Sequence, residues 1–342
     1  MTWRASGCCP GEAEAELLLA GGARPAHSSP TSTACRGGRA CSAQVLLTAW
    51  AEHALPPRGA TLATDGKPPR RTAQRLNDLT GKEWVKATRS WFVCDGARHD
   101  ITPDIEAHPA SFPPEVPERF IRFFTHPGGT VLDPFAGSGG TLVACARSGR
   151  RGIGVELSER YAEATRRRVQ AEVEAGAGLA EQQVLCADAM RLRELGIGPV
   201  DYIITSPPYW DMLRQSRGGA ESAHRRRAKS GLDVAYSEDD RDLGNIADYG
   251  AYLDALAAVM EQAAELLKPG RYATVIAQNI RAPDGEMAPL AWDIAGRLRR
   301  FLVLKQETLW CQDKKRLGCW GWPTTYVSNV HHHYCLHFGK RP

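Results

Sequence analysis

From residue 129 onward, short apolar runs alternate with amphipathic ones in a regular order. "GTVLDPF" (129–135), "GIGVEL" (152–157), "QQVLCAD" (182–188), "VDYIITS" (200–206) and "RYATVIAQN" (271–279) read as strands rich in β-branched residues. Between them lie "GGTLVACARSG" (139–149), "SERYAEATRRRVQAEVEAG" (158–176) and "DYGAYLDALAAVMEQAAELLKPG" (248–270), which read as helices. The last has apolar residues at 252, 253, 256, 259, 260, 263, 266 and 267, one stripe along a helix, and Lys268-Pro269-Gly270 stops it. Ser158 is placed to cap the second helix and Gly149 to end the first. "HPASFPPEVPERFIRFF" (108–124) starts with rigid prolines and becomes an amphipathic helix, and "PLAWDIAGRLRRF" (289–301) is a further helix. Such alternation predicts an α/β fold with a doubly wound, mostly parallel sheet. The final strands, "LVLKQETLW" (302–310) and "HHHYCLHFG" (331–339), have no helix between them and should form an antiparallel edge.

Residues 1–75 have another texture, rich in Ala, Gly, Pro, Arg and Ser without a sustained period. They read as a disordered extension, with "AQVLLTAWAEHAL" (43–55) as one short helix, so the folded domain is expected at 76–342. The extension has nine Lys and Arg against five Asp and Glu, while the rest of the chain balances at 34 each. Bulk charge therefore gives the folded part no general affinity for nucleic acid, and any such site must be a local patch. No run approaches a membrane span or a secretory signal, which leads to the expectation of a cytoplasmic protein with reduced thiols. Among ten cysteines, Cys145 and Cys186 sit in apolar runs and read as small buried hydrophobes.

Two strand ends carry the chemistry. In "VLDPFAGSGGT" (131–141), Gly137, Gly139 and Gly140 stand between a strand and a helix, where backbone N–H groups can approach a ligand. The next strand ends in Glu156, 23 residues after Asp133, where a carboxylate can accept from ribose hydroxyls. Asp188 ends the third strand and can accept from an exocyclic amine. A dehydrogenase dinucleotide site is the competing reading. Asp133-Pro134-Phe135 intrudes on its fingerprint, and an acid with an aromatic suits a sulfonium better than a pyrophosphate. The fourth strand runs into "TSPPYW" (205–210). Prolines end a strand and freeze the backbone behind it. A base-conjugated amine is a poor nucleophile, and acceptors such as the Ser206 hydroxyl and the Pro207 carbonyl, held rigid by Pro207 and Pro208, free its lone pair. Tyr209 offers a face for a flipped base.

With these residues the chain resembles the amino-group DNA methyltransferases over roughly residues 76–342. "DPFAGSG" looks like that family's cofactor motif, "SPPY" like its catalytic motif, and "HPASFPPEVPERFI" like the element completing its methionine pocket. The resemblance implies a Rossmann-like methyltransferase domain that binds S-adenosyl-L-methionine and methylates an exocyclic amine in double-stranded DNA. By that analogy Phe112, Pro113, Asp133, Phe135, Gly137, Ser138, Gly139 and Thr141 line the cofactor, with Glu156 at its ribose and Asp188 at its adenine. Ser206, Pro207, Pro208 and Tyr209 are then catalytic. Ser in the first position resembles the cytosine-N4 branch, and Asp or Asn there the adenine-N6 branch. Here the cofactor motif precedes the catalytic one by only about 65 residues, a less common order that leaves the target-recognition region unplaced. A cognate restriction endonuclease is a partner such a resemblance implies. RNA or protein-amide methylation, and a non-enzymatic DNA-binding relative, are the alternatives.

Two polar connections are candidate DNA contacts. One, near 211–245, follows Trp210 and carries Arg214, Arg217, Arg225, Arg226, Arg227 and Lys229, with Asn245 as a cap of the next helix. The other, near 311–329, carries Lys314, Lys315, Arg316, Trp320 and Trp322, and reads equally as a hairpin cap. His331, His332, His333, Cys335 and His337 do not read as a metal site, because neighbouring strand residues face opposite ways.

Overall fold

The computed structural model describes residues 75–95, 112–176, 180–210, 239–281, 286–315, 317–320, 323–324 and 326–342, all within one compact unit, Arg70–Pro342. Apart from Arg75, the expected extension and its helix at 43–55 lie outside the described residues.

Eight strands form one sheet. In chain order they are β1 (Trp91–Val93), β2 (Thr130–Asp133), β3 (Arg151–Glu156), β4 (Gln182–Cys186), β5 (Val200–Thr205), β6 (Leu267–Ala277), β9 (Val303–Cys311) and β12 (His332–Gly339). Across the sheet they run β1-β9-β12-β6-β5-β2-β3-β4. Two short pairs stand apart: β7 (Ile280–Arg281) with β8 (Met287–Ala288), and β10 (Cys319–Trp320) with β11 (Val327–Ser328). The helices are α1 (Gly81–Ala87), α2 (Glu115–Phe124), α3 (Gly140–Ser148), α4 (Glu159–Glu174), α5 (Tyr249–Leu266) and α6 (Leu290–Leu298).

Period-2 patterning sends alternate side chains into two cores. Val131, Tyr202, Ile204 and Ile276 pack under α2 with Val116, Phe120, Ile121 and Phe124. Leu132, Ile203, Val275 and Leu336 pack on the other face against Leu256, Met260 and Ala263 of α5 and Ile294 and Leu298 of α6. All these side chains are buried, and each contributes roughly 1.5–3 kcal/mol if large and aliphatic.

The expected doubly wound sheet is present, and the last two strands are antiparallel to each other. They lie toward one edge of the sheet, with one strand outside them. β12 lies between β6 and β9, antiparallel to both, and β1 pairs outside β9 in parallel. Helix α5 does end at Leu266, but Lys268-Pro269-Gly270 belongs to β6, where the register with β5 jumps from Val200–Leu267 to Tyr202–Tyr272. Cys145 is buried as expected; Cys186 is exposed, since it ends the outermost strand, β4. No helix among the described residues is long and apolar enough to cross a membrane.

Candidate active site

The chain leaves β2 for β3 and β4 on one side of the sheet, and β5 and β6 lie on the other. Connections at the carboxyl ends of β2 and β5 therefore diverge and open a crevice, the usual ligand position in such sheets. The glycine loop follows β2 and "SPPY" follows β5, so the fold brings the two motifs side by side.

The glycine loop is shaped from outside. Gly137 (φ +54°) and Gly139 (φ +79°) adopt left-handed backbone that glycine enters without a Cβ clash. A Cβ on Gly139 would also lie 2.5 Å from Thr165 Cγ2 of α4. Thr165 Oγ1 donates to the Gly137 carbonyl (3.0 Å) and Arg168 Nη1 to the Ser138 carbonyl (3.0 Å). Ser138 and Thr141 are buried, and Phe135 is partly buried. Phe112 and Pro113 reach the same place: a Cβ on Gly140 would stand 3.0 Å from the Phe112 carbonyl oxygen.

Glu156 also braces the loop. Its Oε2 accepts from Gly137 N (2.8 Å) and its Oε1 from Ser158 N (2.9 Å). Burial pushes its carboxyl up to about 7, against these two N–H groups, with the charges of Asp242 and Asp133 raising it further. Ser158 precedes α4 but makes no side-chain cap bond. Asp188 caps a short 3₁₀ turn, Ala189–Glu194, by accepting from Met190 N (2.8 Å).

Asp133 differs from the expectation that it faces a cationic ligand. Its side chain is fully buried. Oδ1 accepts from Phe135 N (3.0 Å) and Thr205 Oγ1 (2.6 Å), and Oδ2 accepts from Thr141 Oγ1 (2.6 Å). Burial pushes its carboxyl up while these donors hold it down. The acid ties the glycine loop, α3 and the end of β5 together.

In the second motif, Ser206 is partly exposed and Pro207 buried. The Tyr209 hydroxyl lies 3.2 Å from Ser206 Oγ and donates to the Ile276 carbonyl (3.4 Å). Tyr209 is only 6% exposed, so its ring is mostly packed rather than an open face. Tyr252 of α5 donates to the Pro208 carbonyl (2.6 Å). Trp210 is the non-glycine described residue with positive φ, +30°; its indole N–H donates to the Ala247 carbonyl (3.2 Å) and its ring meets Tyr249. His333 lies flat on Trp310, with ring centroids 4.4 Å apart, and 6.2 Å from the Tyr209 ring. Burial pushes His333 down to about 3, keeping it neutral.

Arg214, Arg217, Arg225, Arg226, Arg227, Lys229, Arg316 and Trp322 lie outside the described residues. Lys314 donates its backbone N–H to Asp95 (2.8 Å), and Lys315 lies near enough to His333 to depress it. The connection at 311–329 does contain a hairpin, β10 with β11. Asn245 is not the helix cap: Asp242 caps the turn Leu243–Asn245 by accepting from Gly244 N, and Asp248, which directly precedes α5, caps it by accepting from Ala251 N. His337 is held between Thr274 (2.8 Å) and Thr308 (3.0 Å). Among the described residues no group of three or more His, Cys, Asp or Glu is arranged to hold a metal ion.

Comparison with known proteins bears on this geometry. A family model described as DNA methylase matches residues 62–167, taking in the glycine loop and starting upstream of residue 76. The type II methyltransferase M.BglI of Bacillus subtilis is 35% identical over 104 residues, 30% of this chain and 28% of that protein. The type II methyltransferase M.ScaI of Streptomyces caespitosus is 41% identical over 82 residues, 24% of this chain and 27% of its own. Over these stretches the chain is similar to DNA methylases and type II methyltransferases. The type II methyltransferase M.MjaI of Methanocaldococcus jannaschii is 49% identical over 57 residues, 17% of this chain and 19% of its own. The chain thus spans under a third of the length of these curated relatives. At this site, the contributors not read from sequence are Thr205, Thr165, Tyr252 and the Trp310–His333 stack. Thr205 alone left a trace, as the hydroxyl directly before Ser206.

Proposed function

We propose that the chain transfers a methyl group from S-adenosyl-L-methionine to the exocyclic amine of a base in double-stranded DNA, with cytosine N4 as the position. The observation that carries this reading is the meeting of the glycine loop and "SPPY" across the β2–β5 crevice, bridged by Asp133. The lining fits the cofactor: the carboxyl groups of Glu156, Asp188 and Asp242 at this end of the sheet suit a cation better than a pyrophosphate. Phe112, Pro113, Phe135, Gly137, Ser138, Gly139 and Thr141 would hold it, with Glu156 at the ribose and Asp188 at the adenine. Glu156 uses one bond per oxygen on backbone N–H groups, and each oxygen keeps acceptor capacity for a hydroxyl.

When bound, S-adenosyl-L-methionine supplies an electrophilic methyl on a sulfonium, whose carbon–sulfur electron pair leaves with the thioether. Ser206 Oγ and the Pro207 carbonyl accept from the amine, localising its lone pair for the new carbon–nitrogen bond. The surplus N–H proton then passes to water, since the alkylated nitrogen is acidic. Pro207 and Pro208 keep the acceptors in place, and the Tyr209 hydroxyl steadies Ser206. The domain is 76–342, with DNA-contacting segments near 211–245, just after a DNA-contacting Trp210, and near 311–329, where Lys314 and Lys315 stand. Serine as first residue of the motif supports the N4 assignment.

Double-stranded DNA incubated with the protein and methyl-labelled cofactor, then digested to nucleosides, tests the reading. N4-methylcytosine is the expected product. N6-methyladenine would overturn the base assignment. No label in DNA, with label in RNA or protein amides, would overturn the substrate class.

A further inference from the structure

Asp133 ends β2 and Thr205 ends β5, on the two sides of the crevice. The paired register of these strands runs Val131–Tyr202 and Leu132–Ile203, and the Thr205 Oγ1 to Asp133 Oδ1 bond (2.6 Å) is the next link across. Asp133 and Thr205 are fully buried and Thr141 is 1% exposed, so water does not compete for these bonds. The same carboxylate accepts from Thr141 in the first turn of α3 and from Phe135 N in the glycine loop. Thr205 is joined by one peptide bond to Ser206. A single buried group therefore links the loop that would carry the methyl donor to the residue that would hold the acceptor.

We infer that Thr205 is a positioning residue for methyl transfer, fixing through Asp133 the spacing between the cofactor loop and the acceptors on Ser206 and Pro207. The inference rests on the methyl-transfer reading above. A transfer between two bound groups depends steeply on alignment, and a misplacement of about 1 Å can cost about 100-fold in rate. Removing the Thr205 hydroxyl leaves Asp133 its donors from Thr141 and Phe135, so the cofactor loop keeps its anchors. The loss should therefore appear in the chemical step and not in cofactor binding.

The experiment compares Thr205→Val, Thr205→Ala and Thr205→Ser with wild type. Single-turnover transfer from labelled cofactor to double-stranded DNA is measured alongside calorimetric cofactor titration and thermal melting. Thr205→Val, which keeps the shape, should slow transfer about 10- to 100-fold with cofactor affinity unchanged. Thr205→Ser, which keeps the hydroxyl, should recover most of the rate. Thr205→Ala repeats the test without the branched side chain, should the valine variant melt early. Thr141→Val removes a different donor from the same carboxylate, and its cost should fall on cofactor affinity. A wild-type rate in Thr205→Val and Thr205→Ala, a loss of cofactor affinity matching the loss of rate, or a serine variant as slow as the valine one would each overturn the inference. A wild-type protein that methylates no DNA overturns the reading of the site, and this inference with it. An active wild type with unaffected Thr205 variants overturns the inference alone.

Discussion

The two loops at the carboxyl edge of the sheet reach definite shapes by opposite means. The loop after β2 is built from glycines, which are free to bend and costly to order. Its conformation is imposed by neighbours: Glu156 on Gly137 N–H, Thr165 on the Gly137 carbonyl, Arg168 on the Ser138 carbonyl. The loop after β5 is built from prolines, which have little freedom to lose. It needs few anchors, chiefly Tyr252 on the Pro208 carbonyl and Tyr209 on Ser206. The difference suits the two tasks proposed for these loops. A loop that wraps a ligand needs backbone N–H groups and room, whereas one that holds a reacting amine needs acceptors that do not move.

This contrast can be broken at either loop. The largest effect should come from Gly139→Val, which forces a side chain into left-handed backbone and against Thr165. It should cost about 2–5 kcal/mol of stability and abolish cofactor binding. Denaturant unfolding and cofactor titration read both, and a cost under about 1 kcal/mol would mean the loop does not depend on its neighbours. In the proline loop, Ser206→Ala should leave stability and cofactor affinity alone while slowing single-turnover transfer by roughly ten- to a thousand-fold.

Acidity distinguishes the loops more finely. The Glu156 carboxyl, raised from 4.5 to about 7, is protonated below neutrality in the free protein, and its ionised form is the one that accepts from a ligand hydroxyl. Cofactor affinity should fall as pH drops below 7, by up to about tenfold per unit, and Glu156→Gln should flatten that profile. The same shift means that its proton stabilises the fold fully below pH 4.5 and that this contribution is gone above about 7. An affinity that is level between pH 6 and 8 would place Glu156 away from the ligand. The smallest effect belongs to Tyr252→Phe, which removes one bond to the proline loop. It should cost about 1 kcal/mol, seen in the melting curve, and slow transfer only a few-fold if the prolines hold their own shape.

The sequence made much of this legible. Period-2 runs and the helical stripe of residues 252–267 located β2 to β6 and α5, because burial on one or both faces leaves a repeat in the chain. Both strand-end motifs were legible because glycine and proline report backbone demands directly. β1 was not: three residues with Trp91 and Val93 about half exposed carry no pattern, and the strand exists because β9 offers it an edge. The slot taken by β12 was also hidden, since strand order depends on crossovers rather than on composition. Asp133 was read as a ligand contact because an acid beside a glycine loop is ambiguous until its partners are known, and Thr205 lies 72 positions away. Thr165 and Tyr252 escaped for the same reason, as ordinary helix residues whose importance lies in a carbonyl of another segment.

The position of β12 sets a timetable for synthesis. Residues 332–339 fill the gap between β6 and β9, and Lys340 then donates to the carbonyls of Ala264, Glu265 and Leu267 at the end of α5. While the chain is being made, β6 has one unpaired side and β9 has no route to it, although Ser206 and the glycine loop have already been translated. A nascent chain halted near residue 330 would hold both motifs beside an open strand edge, the kind of surface that recruits chaperones or a second chain. The half of the sheet that would do the chemistry thus waits on the last strand for its protection.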